Sequence, residues 1–141
     1  MEIKKRSIVY KGGKNKLLSI GASCVIFKGN KVLLVRGTGG TKFKFPGGHV
    51  DDEESIRQGA IREAKEELGV KVEVYGEPFF YLFKLDKSND IILINYLAKI
   101  VTGTPKTNSE IEEIAWFDID NLPETFDNIV PVIAFFKDRR V

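Results

Sequence analysis

The chain is poor in cysteine, in histidine and in net charge. Among its 141 residues there is one cysteine and one histidine, and 22 basic against 20 acidic residues leave a formal charge of +2. The single cysteine, Cys24, forms no intramolecular bridge, so a disulfide-stapled scaffold is excluded. It lies in the apolar run ASCVIF and reads as a small core residue, because apolar surroundings raise a thiol's pKa and blunt its reactivity. The balanced charge argues against a dedicated nucleic-acid groove, but not against a small anionic substrate, which needs only a local basic patch. No apolar run approaches the ~20 residues that span a bilayer. The basic stretch MEIKKRSIVYKGGKNK is followed by no apolar signal core with a small-residue cleavage site. Repeats, low-complexity tracts and Pro/Ser-rich linkers are also missing. These absences point to one cytoplasmic domain over residues 1–141, with no nucleic-acid or membrane partner. A domain of this size buries about 68–70% of its unfolded surface, so the core needs no staples.

Glycine is plentiful early on: nine of the 13 glycines lie in the first 48 residues, so the first third is rich in turns with strands between them. Residues 17–28 (LLSIGASCVIFK) and 32–36 (VLLVR), joined by Lys28-Gly29-Asn30-Lys31, read as a hairpin. A loop, GTGGTK, and a short extended piece, FKFP, follow. Residues 55–68 give the clearest helix. Residues 71–84 and 91–101 read as strands joined by a polar turn from Asp86 to Asp90, and 111–118 as another strand. In the tail, Ile129, Val130, Ile133 and Phe136 recur at helical spacing, with Pro131 tolerable only in the first turn. Strands outnumber helices without regular alternation, which predicts a mixed α+β fold.

The segment that carries chemistry is GGHVDDEESIRQGAIREAKEELGV, from Gly47 to Val70. At about 100° per residue, Ile56, Ala60, Ile61, Ala64 and Leu68 fill a buried arc of roughly 140°. Glu63, Glu66 and Glu67 share another arc of roughly 100°, being i, i+3 and i+4. Gly59 lies one turn before Glu63 on that face and leaves it open, and Gly69 is placed to end the helix in the left-handed conformation. Carboxylates crowded on one face repel unless a cation compensates, and Mg²⁺ or Mn²⁺ prefers such hard oxygen ligands. The plainer alternative is a solvated acidic face.

These residues resemble the signature of the Nudix hydrolases, G-x5-E-x7-R-E-U-x-E-E-x-G-U with U apolar. Gly48, Glu54, Arg62, Glu63, Glu66, Glu67 and Gly69 match every fixed position, an agreement whose chance probability is on the order of 10⁻⁸ per window. Ala64 is the small occupant of an apolar slot. The hairpin ending VLLVR, the FPGG entry and a late strand ending in Trp116 are similar to the family as well. The resemblance implies an α/β/α sandwich with a mixed sheet between helices. It implies attack of water on a phosphorus of a nucleoside diphosphate linked to another group. It also implies that Glu63, Glu66 and Glu67 ligate metal, Mg²⁺ or Mn²⁺ in its place, with the Gly48 carbonyl and Glu54 as further ligands. Arg62 then holds a signature glutamate, with phosphate binding as its second role.

By the same resemblance, the base that activates water would be a signature glutamate, here Glu66, or a later one in TNSEIEEIAW, where Glu110 is preferred over Glu112 and Glu113. The alternative for all three is solvated charge beside a strand. His49 is structural, or touches phosphate or acts as a base. Arg36, Lys42 and Lys44 precede FPGG and could face phosphates. Phe80 is the chosen base-stacking aromatic among Phe79, Phe80, Tyr81 and Phe83, of which strand alternation sends about half inward. Subclass markers are missing: Leu85 stands where many ADP-ribose hydrolases carry a proline, Pro78 comes too early, and Tyr81 is too early for the diadenosine-polyphosphate tyrosine. By elimination a nucleoside triphosphate, normal or oxidised, is the expected substrate, with ADP-ribose or a nucleotide sugar second. A nucleotide-sensing domain without turnover and a purely structural domain are the rivals. The partner is a small nucleotide, and the protein is a monomer or homodimer.

Overall fold

The computed structural model describes residues 5–9, 15–84, 87 and 89–140, with side chains from Leu18 onward. In chain order the elements are β1 (Lys5–Val9), β2 (Asn15–Lys28), β3 (Lys31–Gly37), β4 (Phe43–Lys44), β5 (Gly47–His49), α1 (Ile56–Leu68), β6 (Lys71–Lys84), β7 (Asn89–Thr102), β8 (Ile111–Asp118) and α2 (Ile129–Phe136). All the elements expected from the sequence are present. β1 is an addition: its only adjacent apolar residues are Ile8 and Val9, too short a pattern to read as a strand. Asp86 and Ser88 of the expected turn from Asp86 to Asp90, and the marker position Leu85, lie outside the described residues. So do residues 1–4 and 10–14 of the N-terminal stretch.

The sheet runs β4-β3-β2-β7-β6, with β1 and β5 also paired to β2 and β8 paired to β3. β2 and β7 are parallel, Leu17 facing Asn89 through Ile26 facing Ala98, and the other pairings between strands are antiparallel. The sheet is therefore mixed, as expected.

Side chains alternate across a strand, so a strand covered on both faces reads as a continuous apolar run. β2 and β3 do this. Cys24, Ile26, Leu33 and Val35 face one core with Ala60, Ala64 and Leu68 of α1. Val25, Val32 and Leu34 face the other, with Ile129, Val132, Ile133 and Phe136 of α2. One helix on each face makes the α/β/α sandwich. Cys24 is fully buried and accepts its place in the core: burial pushes its thiol up to about 12. Among the described residues, no helix is long and apolar enough to cross a membrane.

α1 is bounded by local chemistry. The Ser55 hydroxyl accepts from the Gln58 N–H while the Gln58 side chain accepts from the Ser55 N–H, a reciprocal cap on the first turn. Gly69, at φ +73°, closes the helix and donates its N–H to the Lys65 carbonyl. β5 brings the glycine pair beside the helix. A Cβ at Gly47 would stand 2.4 Å from the Ala22 carbonyl of the neighbouring strand, and one at Gly48 would stand 2.5 Å from the Glu63 carboxyl carbon. Only glycine permits both approaches.

Candidate active site

The acidic arc and the apolar arc of α1 adjoin. Relative to Ile56, Glu67 falls inside the edge of the apolar arc, Glu63 about 20° beyond it and Glu66 about 80° beyond it. The structure follows that order: Glu67 is 5% and Glu63 8% exposed, whereas Glu66 faces solvent. Two of the three signature glutamates are thus buried carboxylates, which must find donors or counter-charges.

Arg62 supplies most of them. Its Nε lies 3.1 and 3.0 Å from the two oxygens of Glu54, and its Nη2 lies 2.8 Å from Glu54 Oε1. Nη1 donates to Glu63 at 2.9 Å and to Glu66 at 3.0 Å, and Nη2 donates to the His49 carbonyl at 2.9 Å. Gly59 leaves space for this cluster, since a Cβ there would stand 3.1 Å from Glu54 Oε1. The Arg62 hydrogen bonds hold the Glu54 carboxyl below its usual range, against partial desolvation. Burial does the opposite to Glu63, raising its pKa, with the Glu67 charge adding to the push and Arg62 opposing it.

Glu67 has a separate counter-ion. Lys44 Nζ lies 3.1 Å from each of its oxygens and 3.0 Å from the Gly47 carbonyl. The Gly47 N–H donates to Glu67 at 2.7 Å. Burial raises the Glu67 pKa, the Lys44 charge and the Gly47 N–H oppose it, and the charge of Glu110 adds to it.

The donor set suits a hard divalent cation: carboxylates of Glu54, Glu63, Glu66 and Glu67 beside glycine carbonyls, with Gly48 bare so that the Glu63 carboxylate can close in. Among the described residues, however, no three carboxylate, imidazole or thiol groups converge as a ready cage. The glutamates are parted between two organic cations, Arg62 and Lys44. The chemistry fits Mg²⁺ or Mn²⁺, and the carboxylates are held in reserve by positive side chains.

The flanking residues divide. A cavity of ≈ 220 Å³ lies beside the glycine pair, lined by Phe45, Phe83, Ile91, Leu93, Phe126 and Asn128 together with Lys44, Gly48 and His49. Its wall is largely apolar. Lys42 stands 5.6 Å from the ring centre of Phe126, one of the lining residues. Phe80 is not brought there: on β6, residues 79, 81 and 83 turn inward while Phe80 is 64% exposed on the other face, so the β6 aromatic at the cavity is Phe83. Arg36 is engaged elsewhere, donating to Glu112 at 2.8 Å, to Glu113 at 3.2 Å and to the Gly40 carbonyl at 3.0 Å. Glu112 and Glu113 are therefore partners of Arg36, and Glu110, whose carboxylate has no ion pair among the described residues, is the late glutamate left free. His49 lines the cavity, and its buried Nδ1 has no partner.

Three residues escaped the sequence reading. Asn108 donates to the carbonyls of Glu66 (3.4 Å) and Glu67 (3.0 Å) and accepts from the N–H groups of Glu110 (2.9 Å) and Ile111 (3.0 Å). One amide thus ties the end of α1 to the loop that carries Glu110. Asn128, 5% exposed, and Phe126 line the cavity. The only signal for Asn108 was its place two residues before a candidate acid, and for Asn128 its place before a helix.

Comparison with known proteins gives a consistent result. A family model described as the NUDIX domain matches residues 17–134. The m7GpppN-mRNA hydrolase of Saccharomyces cerevisiae is 32% identical over 98 residues, 68% of this chain but 10% of that protein, so the chain spans about a tenth of that relative's length. The ADP-ribose pyrophosphatase of Methanocaldococcus jannaschii is 30% identical over 120 residues, covering 78% of this chain and 68% of the relative. Among solved structures, a UDP-X diphosphatase superposes with a TM-score of 0.75 at 24% identity, over 86% of this chain and 64% of the other, a likeness of fold.

Proposed function

Since the chain belongs to the NUDIX family and is a hydrolase, we propose that it splits a phosphoric anhydride bond of a nucleoside triphosphate, normal or oxidised, with Mg²⁺ as its metal. The observation that carries this reading is the cavity's position. A compact, largely apolar cavity with one amide, Asn128, opens directly beside Gly48 and the buried Glu63. A base seated there would present its phosphates to the acidic helix.

The roles follow from the geometry. Phe83 and Phe126 offer ring faces to a base, and Asn128 offers both a donor and an acceptor. Lys42 beside Phe126 attracts the anionic phosphates as they arrive. Glu63, Glu66, Glu67 and Glu54, with a glycine carbonyl, would hold the metal, which when bound neutralises phosphate charge and orients the group. Arg62 orients these carboxylates through its planar fork, which a lysine could not imitate. Glu110, unpaired and tethered by Asn108, is the proposed base that takes a proton from water; Glu66 is second choice.

A second reading, ADP-ribose as substrate, is supported by the archaeal relative, an ADP-ribose pyrophosphatase. The test is a panel with Mg²⁺: normal and oxidised dNTPs, ADP-ribose, nucleotide sugars, dinucleoside polyphosphates and a capped RNA, the last because of the yeast relative. Release of pyrophosphate from a triphosphate in preference to the others is expected. Preferential cleavage of ADP-ribose would replace the first reading by the second, and no turnover of any member would favour a sensing domain.

A further inference from the structure

The Lys44 ammonium occupies a place built for a cation. Four oxygens surround it: both oxygens of Glu67 at 3.1 Å, the Gly47 carbonyl at 3.0 Å and the Phe45 carbonyl at 3.5 Å. The ring of oxygens is hard, partly buried and net negative, which describes a divalent-ion subsite as well as a lysine clamp. Lys44 is itself only 20% exposed in its side chain, Glu67 only 6%. A buried carboxylate with no counter-charge is costly, so something positive must stay at Glu67 whenever metal is absent. The same lysine also lines the cavity beside the helix. It has somewhere to go.

We propose that Lys44 is a resident counter-ion of the Glu67–Gly47 subsite, displaced by the divalent metal and turned on displacement toward the polyphosphate. Lys44 then has two successive partners, the carboxylate before loading and the phosphates after it. It sets the metal concentration at which the subsite fills. Because each phosphate-facing position is reached only after metal has entered, substrate and metal binding are coupled through one side chain. The idea rests on the metal-dependent reading above, and Arg62 does not duplicate it, since none of the Arg62 contacts involves Glu67.

The experiment measures Mn²⁺ binding by titration calorimetry and by the metal-induced rise in melting temperature, without nucleotide. Wild type is compared with Lys44→Met, Glu67→Gln and the double variant. Removal of Lys44 should tighten Mn²⁺ binding on the order of tenfold and enlarge the melting shift. In the Glu67→Gln background the same removal should gain little. Unchanged or weaker binding in Lys44→Met overturns the proposal. So does an equal gain with and without Glu67, which would mean a diffuse charge effect. Should Lys44→Met not fold without metal, Lys44→Gln, a neutral donor of similar reach, serves the same comparison. Tripolyphosphate supplies the second readout: Lys44→Met should weaken its binding with Mn²⁺ present and leave it unchanged without. Equal loss in both conditions overturns the hand-over. A wild type that binds no Mn²⁺ at all would instead overturn the metal-dependent reading itself.

Discussion

Two arginines each gather glutamates, one inside the candidate site and the other on the sheet. Arg62 binds Glu54, Glu63 and Glu66 from inside the cleft. Arg36 binds Glu112 and Glu113, whose side chains are each 49% exposed, from the face of the β3–β8 pair. The contacts have similar lengths. The difference is where the carboxylates sit. Glu63 is buried by the helix packing and Glu54 is 16% exposed, so their charge has few alternatives to Arg62. Glu112 can turn to water at no great cost, and its carboxyl is held below the usual range first by the Gly39 N–H and then by Arg36. Arg36 faces Glu113 directly across the strands, where an opposite-charge pair helps fix register. A shared motif of arginine and acids is therefore a buried charge cluster in one place and strand pairing in the other.

The largest effect should come from testing that division by activity. Glu67→Gln or Glu66→Gln should cut turnover by at least ~10²-fold, since a neutral amide no longer offers the metal its charge. Glu112→Gln, in steady-state assays on the same substrate, should stay near wild type. Comparable losses for Glu112 and Glu67 would erase the distinction between the two clusters.

The second test is stability. Arg62→Met leaves buried Glu63 and enclosed Glu54 without their counter-charge, a loss of about 3 kcal/mol at neutral pH in the absence of metal. Arg36→Met should move the denaturation midpoint far less, because exposed pairs contribute little. Urea denaturation with EDTA compares the two. Added Mn²⁺ should restore part of the Arg62→Met loss and none of the Arg36→Met change, because metal binds the folded state only where carboxylates face it.

A third, smaller effect separates Asn108 from both arginines. Asn108→Ala should lower kcat several-fold, with KM and Mn²⁺ affinity little changed, because the amide positions Glu110 without touching substrate. Glu110→Gln should lower kcat further if Glu110 is the base. An unaltered rate, together with a large loss for Glu113→Gln, would move that role to the Arg36 cluster and merge the two regions after all.

These contrasts also show how far the sequence reaches. Arg62 and its acids lie within one helix and its approach, so the fixed 100° step of the helix is enough to place them. The same holds for the arc that makes Glu67 the most buried of the three, though its neighbour Lys44 comes from a strand 23 residues earlier. The strands of both cores were legible from their apolar runs. Nearness to FPGG in the chain suggests that Arg36 faces phosphates, yet its partners lie 76 and 77 residues away and are chosen by the β3–β8 register, which no local pattern specifies. Phe80 and Phe83 were ambiguous for a related reason. Alternation says that they face opposite ways, but not which face meets the cleft. Asn108 and Asn128 act through long-range hydrogen bonding and cavity lining, for which a single asparagine in a loop carries no periodic signal.

The smallest effect is the one with two opposing signs. Glu54 has its pKa lowered in the folded protein by Arg62, so it adds stability above the ordinary carboxyl value of 4.5 and loses it as pH falls through the depressed value. Glu63 and Glu67 have theirs raised, mainly by burial. Ionising them costs the folded state, so their contribution improves as pH falls from neutral toward 4.5 and is constant below it. In EDTA the melting temperature should therefore rise modestly on acidification toward that value and decline beneath it. Glu54→Gln should flatten the acid decline, and Glu67→Gln should flatten the rise. Glu112→Gln should change neither limb appreciably, because its carboxyl is open to solvent and screened. A steady decline from neutral pH, with no rise, would mean that Lys44 and Arg62 neutralise the buried pair fully, and that the cleft cluster is electrostatically as relaxed as the one on the surface.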